Sequence, residues 1–278
     1  MGVTIGIDIG GSATKIVGFD ARGRLLEPMT VKASDPITAT YGALGKFTLE
    51  NNLKLDDISK VVKTGAGSEA FSEPIYGLDC ERVSEFPCIG RGGLYLCGLD
   101  EAIVVSMGTG TAFIHAKRGG EMTHLGGTGV GGGSLRGLSH KIIDADNVPN
   151  IIELASSGNL ANVDLRISDI SRGNGVGNMA DDVTAANFGN LSDLATREDL
   201  ALGLVNMILE TIGMLAVFAA KANNIRDIVL TGNMSNIPQN ARVIDMLTKL
   251  HDVNFITPKN SEYATAAGAA LGVVDRTI

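Results

Sequence analysis

The chain has 278 residues, which is long for a single hydrophobic core and suits two packed lobes. Hydrophobic residues make up 44% and charged residues 19%, so the chain can bury a large core and is no disordered tail. Against 31 acidic side chains stand 23 basic ones, a formal charge of −8, which argues against a broad basic face for nucleic acid.

Glycine occurs 36 times without a collagen-like period, so its excess calls for local explanations. Cys80, Cys88 and Cys97 are odd in number and match neither paired zinc ligands nor a disulfide framework. The start, MGVTIGIDIG, has no basic segment ahead of an apolar run, which reads as no signal peptide and, with the unpaired thiols, as a cytoplasmic protein. No membrane partner is expected. The longest apolar stretch, Gly203 to Ala222, carries Asn206, Glu210, Thr211 and Lys221 and so reads as a buried or interface helix.

Val3 to Ile9 is a β-rich run broken at Gly10-Gly11, and Lys15 to Phe19 resumes strand character before a turn at Arg22-Gly23, which predicts a hairpin. Tyr41, Leu44, Phe47 and Leu49 give Thr38 to Asn52 a helical spacing, and Ile58 to Lys63 reads as a strand ending in glycine. Ala102 to Met107, Gly108-Thr109-Gly110-Thr111 and Ala112 to Ala116 repeat the strand, glycine turn, strand pattern. Residues 126–133, GGTGVGGG, read as a loop feeding a helix. A polar stretch from Ile167 to Asp182 precedes a helix-prone region from Asn190 to Asn224. Ile228 to Leu230 then reads as a short strand ending in Thr231-Gly232-Asn233, and Glu262 to Val274 as a helix. Strands alternating with helices make the fold class α/β.

Four of these segments suit a nucleotide. In DIGGSATK, Asp8 to Lys15, adjacent glycines let backbone amides converge on an anion, the Ser12 and Thr14 hydroxyls add donors, Lys15 adds a charge, and Asp8 can hold a hydrated Mg²⁺. Taken alone, this motif and GTGT at Gly108 to Thr111 serve equally well as ordinary hairpin turns. Two such turns in one chain favour a site that clamps a triphosphate from both sides. Residues 126–133 precede a helix N-terminus, which attracts phosphate. They fit neither the Rossmann nor the P-loop spacing. At the turn Thr231-Gly232-Asn233, glycine would let adenine or ribose lie against backbone.

In this order the four segments resemble those of the actin-like, sugar kinase and Hsp70 ATPase superfamily. With SEF at Ser84 to Phe86, MGTGT, LGGTGVGGG at Leu125 to Gly133 and DVTAANFG at Asp182 to Gly189, the chain more closely resembles the type II pantothenate kinases. The resemblance implies a two-lobed actin-like ATPase (ribonuclease H-like) fold with the nucleotide cleft between lobes. Residues 1–102 would form the N-terminal lobe and 103–278 the C-terminal one, with the last helix packing back toward the first lobe. It implies ATP-dependent phosphorylation of pantothenate, the first step to coenzyme A, by a homodimer using ATP and Mg²⁺. Glu85 stands where that family has its general base, and Lys15 would offset charge on the phosphates. Asp8 would orient Mg²⁺ through water, and ATP contacts would fall on Asp8, Gly10, Gly11, Ser12, Thr14, Lys15, Thr109, Gly110, Gly132, Gly133, Ser134, Gly232 and Asn233.

Glu85, His124 and Gly126 would touch the acceptor. At His124 the chain departs from the family pattern, which carries an arginine there for the substrate carboxylate. A permanently charged fork is replaced by a ring that is mostly neutral at pH 7. Either Arg91, Arg118 or Arg136 supplies the charge, or the acceptor lacks a carboxylate, as pantetheine does. A partner-coupled ATPase of the same superfamily is the alternative from another class. The helix around Asp199 to Asn223 has apolar residues on more than one face, which suits a core helix or a homodimer seam.

Overall fold

Ile5, Ile7 and Ile9 alternate along the first strand, β1 (Val3–Ile9), and a period of two sends all three to one face. A computed structural model describes residues 2–32, 35–71, 74–171 and 181–274. Of the polar stretch 167–182, residues 172–180 lie outside the described ones. Strand β1 pairs antiparallel with β2 (Thr14–Phe19), which continues to β3 (Met29–Val31). The isoleucines pack with Ile16 against Ala43, Leu44 and Phe47 of α1 (Pro36–Glu50). Asp35 caps that helix, its carboxylate accepting the Thr38 amide at 2.7 Å, and Pro36 occupies the first turn, where no amide is needed. Parallel strands β4 (Ile58–Thr64) and β5 (Cys80–Arg82) complete a sheet of order β3-β2-β1-β4-β5.

The chain then enters α2 (Glu85–Cys97) and a second sheet. Strands β6 (Glu101–Met107), β7 (Thr111–Lys117) and β8 (Met122–Thr128) form an antiparallel meander. Helices α3 (Gly132–Ile143) and α4 (Val148–Ala155) follow, then β9 (Leu165–Arg166), α5 (Ile167–Ser171) and β10 (Thr184–Ala186), of which β9 and β10 form a ribbon of their own. After α6 (Arg197–Ala222) comes β11 (Asp227–Thr231), parallel to β6. Helix α7 (Asn240–His251) leads to β12 (Asn254–Ile256), and α8 (Ala264–Val274) ends the described chain. Read from β8, the second sheet has order β8-β7-β6-β11-β12, the same plan of meander plus two parallel strands as the first. The resemblance implied such duplicated lobes, and the fold is that of an actin-like ATPase.

The helices sort into layers. The first sheet is covered by α1 on one face and on the other by α8, whose Ala266, Ala267 and Ala270 meet Val17 and Phe19. The second is covered by α2 on one face, with Ile89 and Leu94 on Val104, Ile114 and Val229, and by α3 and α6 on the other. Helices α2 and α8 therefore meet in the middle. They approach so closely that a Cβ on Gly92 would lie 1.8 Å from the Ala264 carbonyl oxygen, and one on Gly268 1.9 Å from that of Cys88.

Among the elements that escaped the sequence reading are β3, β5 and α2. Strands β3 and β5 are only three residues long, too short for a period to show, and α2 begins at Glu85, in a stretch to which the sequence reading gave no element. The loop expected at 126–133 is also shorter, because β8 runs on through Thr128 and α3 starts at Gly132.

Helix α6 is buried on more than one side, with Leu204, Ile208, Ile212 and Val217 in the core. Its polar residues carry a network: Asn206 donates to buried Asp164 at 2.8 Å, and Glu210 accepts from Thr184 at 2.8 Å and Asn187 at 3.1 Å. Residues 182–189 are thus bound to α6, away from the glycine turns.

Candidate active site

Both hairpins turn through glycine, and the two turns face each other. Gly10, Gly11 and Ser12 link β1 to β2, Gly108, Thr109 and Gly110 link β6 to β7, and Ser12 Oγ lies 3.0 Å from Thr109 Oγ1. Between them is a cleft of about 440 Å³. The Gly10 amide donates to the Ala13 carbonyl at 3.1 Å and that of Gly108 to Gly110 at 2.9 Å. Among the described residues, no hydrogen bond occupies the amides of Gly11, Ser12, Thr109 and Gly110. Four free donors on two opposed turns form a nest for an anion.

Three charged groups stand on the wall of this cleft. Asp8 and Lys15 are direct cross-strand partners on β1 and β2, on the face opposite the isoleucine core, and both are buried. Gly65, at φ +87°, keeps β4 from covering Asp8, since a Cβ there would lie 2.6 Å from the carboxylate Oδ1. Glu85 is the first residue of α2. Ser84 precedes it in extended conformation, and Pro87 sits in the first turn, where a helix leaves amides unpaired anyway. Burial pushes the Asp8 carboxyl up to about 6, with Lys15 opposing and Glu85 adding to the rise. It pushes Glu85 up as well, again opposed by Lys15, and pushes Lys15 down against the pull of Asp8, Glu262 and Glu85.

The structure brings Asp8, Gly10, Gly11, Ser12, Lys15, Glu85, Thr109, Gly110, His124, Gly232 and Asn233 to one cleft. Other residues expected there stand elsewhere. Thr14 is buried within β2. Gly126 sits beside a bulge that pairs Phe113 with Gly126 and Ile114 with His124, and its neighbours Gly127 and Thr128 line the wall instead. The amides of Gly132 and Gly133, expected to meet phosphate, donate to the carbonyls of Gly108 at 2.9 Å and Thr109 at 2.8 Å. The start of α3 therefore braces the second turn. Ser134 Oγ accepts the Gly131 amide at 2.8 Å as part of the helix cap.

His124 stacks on Phe86, with ring centroids 3.8 Å apart and planes 7° from parallel. Sequence reasoning gave Phe86 no role, although it adjoins Glu85. Nor did it find Ser106, Ala66 or Thr265 on the wall; no charge or motif marks these small residues. The three arginines considered as substitutes for a guanidinium at position 124 lie off the cleft wall. Arg91 donates to the Gly268 carbonyl at 3.1 Å, and Arg118 binds Asp100 at 2.8 Å, while Arg136 is exposed on α3. A larger hollow, about 770 Å³, lies by α4 and the start of α6. Its wall of Asp144, Asp146, Glu153 and Glu198 with Arg197 offers no glycine turn.

The chain is 28% identical over 276 residues to a type II pantothenate kinase of Staphylococcus haemolyticus, covering 95% of this chain and 98% of that one. It is 26% identical over 285 residues to a type II pantothenate kinase of Bacillus cereus, covering 96% and 97%. Among solved structures, the activator of the 2-hydroxyisocaproyl-CoA dehydratase from Clostridium difficile superposes with a TM-score of 0.67 at 21% identity, over 99% of this chain and 95% of that one. A ROK family glucokinase from Streptomyces griseus gives 0.60 at 17% identity, over 97% and 98%. The family model described as Fumble matches residues 98–255, more than half the length, and the chain belongs to that family, the type II pantothenate kinases.

Proposed function

We propose that this chain transfers the γ-phosphoryl group of ATP to the primary alcohol of pantothenate, giving 4′-phosphopantothenate. The observation that carries the reading is the meeting, in one cleft, of Glu85 at a helix start, the Asp8–Lys15 pair and two clasped glycine turns. The kinase relatives support the substrate, and the fold neighbours with bound ADPNP and AMPPNP support the nucleotide.

In this reading the free amides of the two turns hold the phosphates, and Gly232 and Asn233 hold the adenosine end. Lys15 offsets the charge that develops on the transferred group. Glu85 accepts the alcohol proton as the oxygen attacks γ-phosphorus. The bond to the bridging oxygen breaks and ADP leaves with that electron pair. The raised affinity of Glu85 for a proton suits a base, an effect worth about 10²–10⁴-fold. Asp8 offers a desolvated carboxylate beside the first turn, which would hold a hydrated Mg²⁺ through water. That ion would neutralise phosphate charge.

His124 favours a second reading, in which the acceptor is a related neutral alcohol such as pantetheine. We draw the lobe boundary near residue 102, with α8 joining the first lobe, since the first sheet is complete by residue 82 and the second opens at Glu101. Phe218 and Leu215 stand exposed on α6 and support a homodimer seam there. The unpaired cysteines support a reducing cytoplasm.

The test is ADP release from MgATP with no acceptor, with pantothenate and with pantetheine. Pantothenate-dependent release is expected. Release with pantetheine alone moves the substrate, and release independent of acceptor, or none, sinks the kinase reading.

A further inference from the structure

Beyond Glu85 the glycine cleft adjoins a second hollow of about 450 Å³, and Ala66, Glu85 and Phe86 belong to the walls of both. The far wall carries Ser68, Glu69 and Arg82. We infer that this hollow is the acceptor's carboxylate subsite and that Arg82 is the residue that grips the carboxylate. The inference rests on the pantothenate reading and deepens it.

Charge placement leads there. In the glycine cleft the carboxylates of Asp8 and Glu85 flank a single lysine or arginine of the described wall, Lys15, the cross-strand neighbour of Asp8. An acid that brings its alcohol to Glu85 is repelled by that wall at its other end and needs a second cation nearby. Arg82 lies three residues before Glu85, so their Cα atoms are within about 10 Å. No other arginine or lysine lines either hollow among the described residues.

Arg82 is also free to change partner. Its Nη2 meets Glu69 Oε1 at 2.6 Å, but the two side chains are 53% and 73% exposed, and surface pairs of this kind contribute little. Among the described residues Glu69 is its one acceptor. The guanidinium carries five N–H donors, so the remaining fork can take a carboxylate in bidentate fashion. Position and chemistry thus separate the two ends of one acceptor: Glu85 takes the proton at the reacting end and Arg82 takes the charge at the other.

The experiment compares KM and kcat for pantothenate and for neutral pantetheine in the wild type, Arg82→Gln and Arg82→Lys. Arg82→Gln should raise the ratio of the pantothenate KM to the pantetheine KM about tenfold or more, and Arg82→Lys should lie between. An unchanged ratio with turnover retained overturns the subsite while leaving the kinase reading in place. Loss of both acceptors together in Arg82→Gln assigns a structural role and overturns it as well. A wild type that phosphorylates pantetheine alone has no carboxylate to grip, and one that turns over neither acceptor removes the kinase reading and this inference with it.

Discussion

Ser12 Oγ and Thr109 Oγ1 stand 3.0 Å apart although 97 residues separate them, and their contact joins the glycine turn of one lobe to that of the other. Both hydroxyls are exposed and both face the space a polyphosphate would fill, so a nucleotide and the latch compete for the same hydrogens. Thr109→Val should raise KM for ATP by about three- to tenfold. It should change unfolding free energy by no more than about 1 kcal/mol, because an exposed hydroxyl pair contributes little to stability. Steady-state kinetics with a melting curve checks both halves.

Glu85→Gln keeps the shape and removes the base. Turnover should fall by about 10²–10⁴-fold while ATP affinity, read by calorimetry, stays within about twofold. A variant with wild-type turnover would remove Glu85 from the proton transfer and leave Asp8, the other carboxylate with a raised proton affinity, as the candidate.

Asp8 makes stability depend on pH. Its carboxyl titrates at about 6 in the fold against 3.8 in the open chain, so the folded state holds the proton more tightly. Stability from this group is complete below the lower value and drains away as pH rises through 6. Asp8→Asn should therefore match the wild type near pH 4. At pH 7 it should be the more stable by up to about 3 kcal/mol, less what Lys15 loses with its nearest carboxylate. Denaturant melts at the two pH values check this, and the variant should be inactive.

Gly92→Ala or Gly268→Ala forces a methyl into a backbone carbonyl of the opposing helix. Each should destabilise by about 2–4 kcal/mol. Because α2 begins at Glu85, lifting it from α8 should also lower kcat more than it raises KM for ATP. Equal effects on both would mean that the crossing does not position Glu85.

Legibility followed periodicity and length. The strands from Val3, Ile58 and Glu101 and helices α1, α6 and α8 show in the sequence because each is long enough for its apolar period to repeat. Helix α2 is masked in the sequence by Gly90, Gly92 and Gly93, residues of low helix propensity that let α8 and the second sheet come close. The glycine turns were legible as anion sites, whereas the amides of Gly132 and Gly133 looked free in sequence and are held by carbonyls that only the fold brings near. Arg82 and Phe86 could not be found without it. Arg82 belongs to no motif and Phe86 entered only as a neighbour of Glu85 in SEF, and their place at the cleft follows from the join of β5 to α2.

The position of α8 also sets an order of assembly. The first sheet gains α1 as soon as its strands exist, but the cover over Val17, Phe19 and Val62 on its other face, all but inaccessible in the finished fold, is incomplete until residues 264–274 leave the ribosome. Between β5 and α8 the second lobe must be translated in full, roughly 10–40 s at ordinary elongation rates. For that interval the nascent chain presents a half-covered sheet to the cell. The first lobe thus becomes native only after the second has been made, and a chain broken anywhere before α8 leaves a surface for chaperones and proteases rather than a smaller working domain.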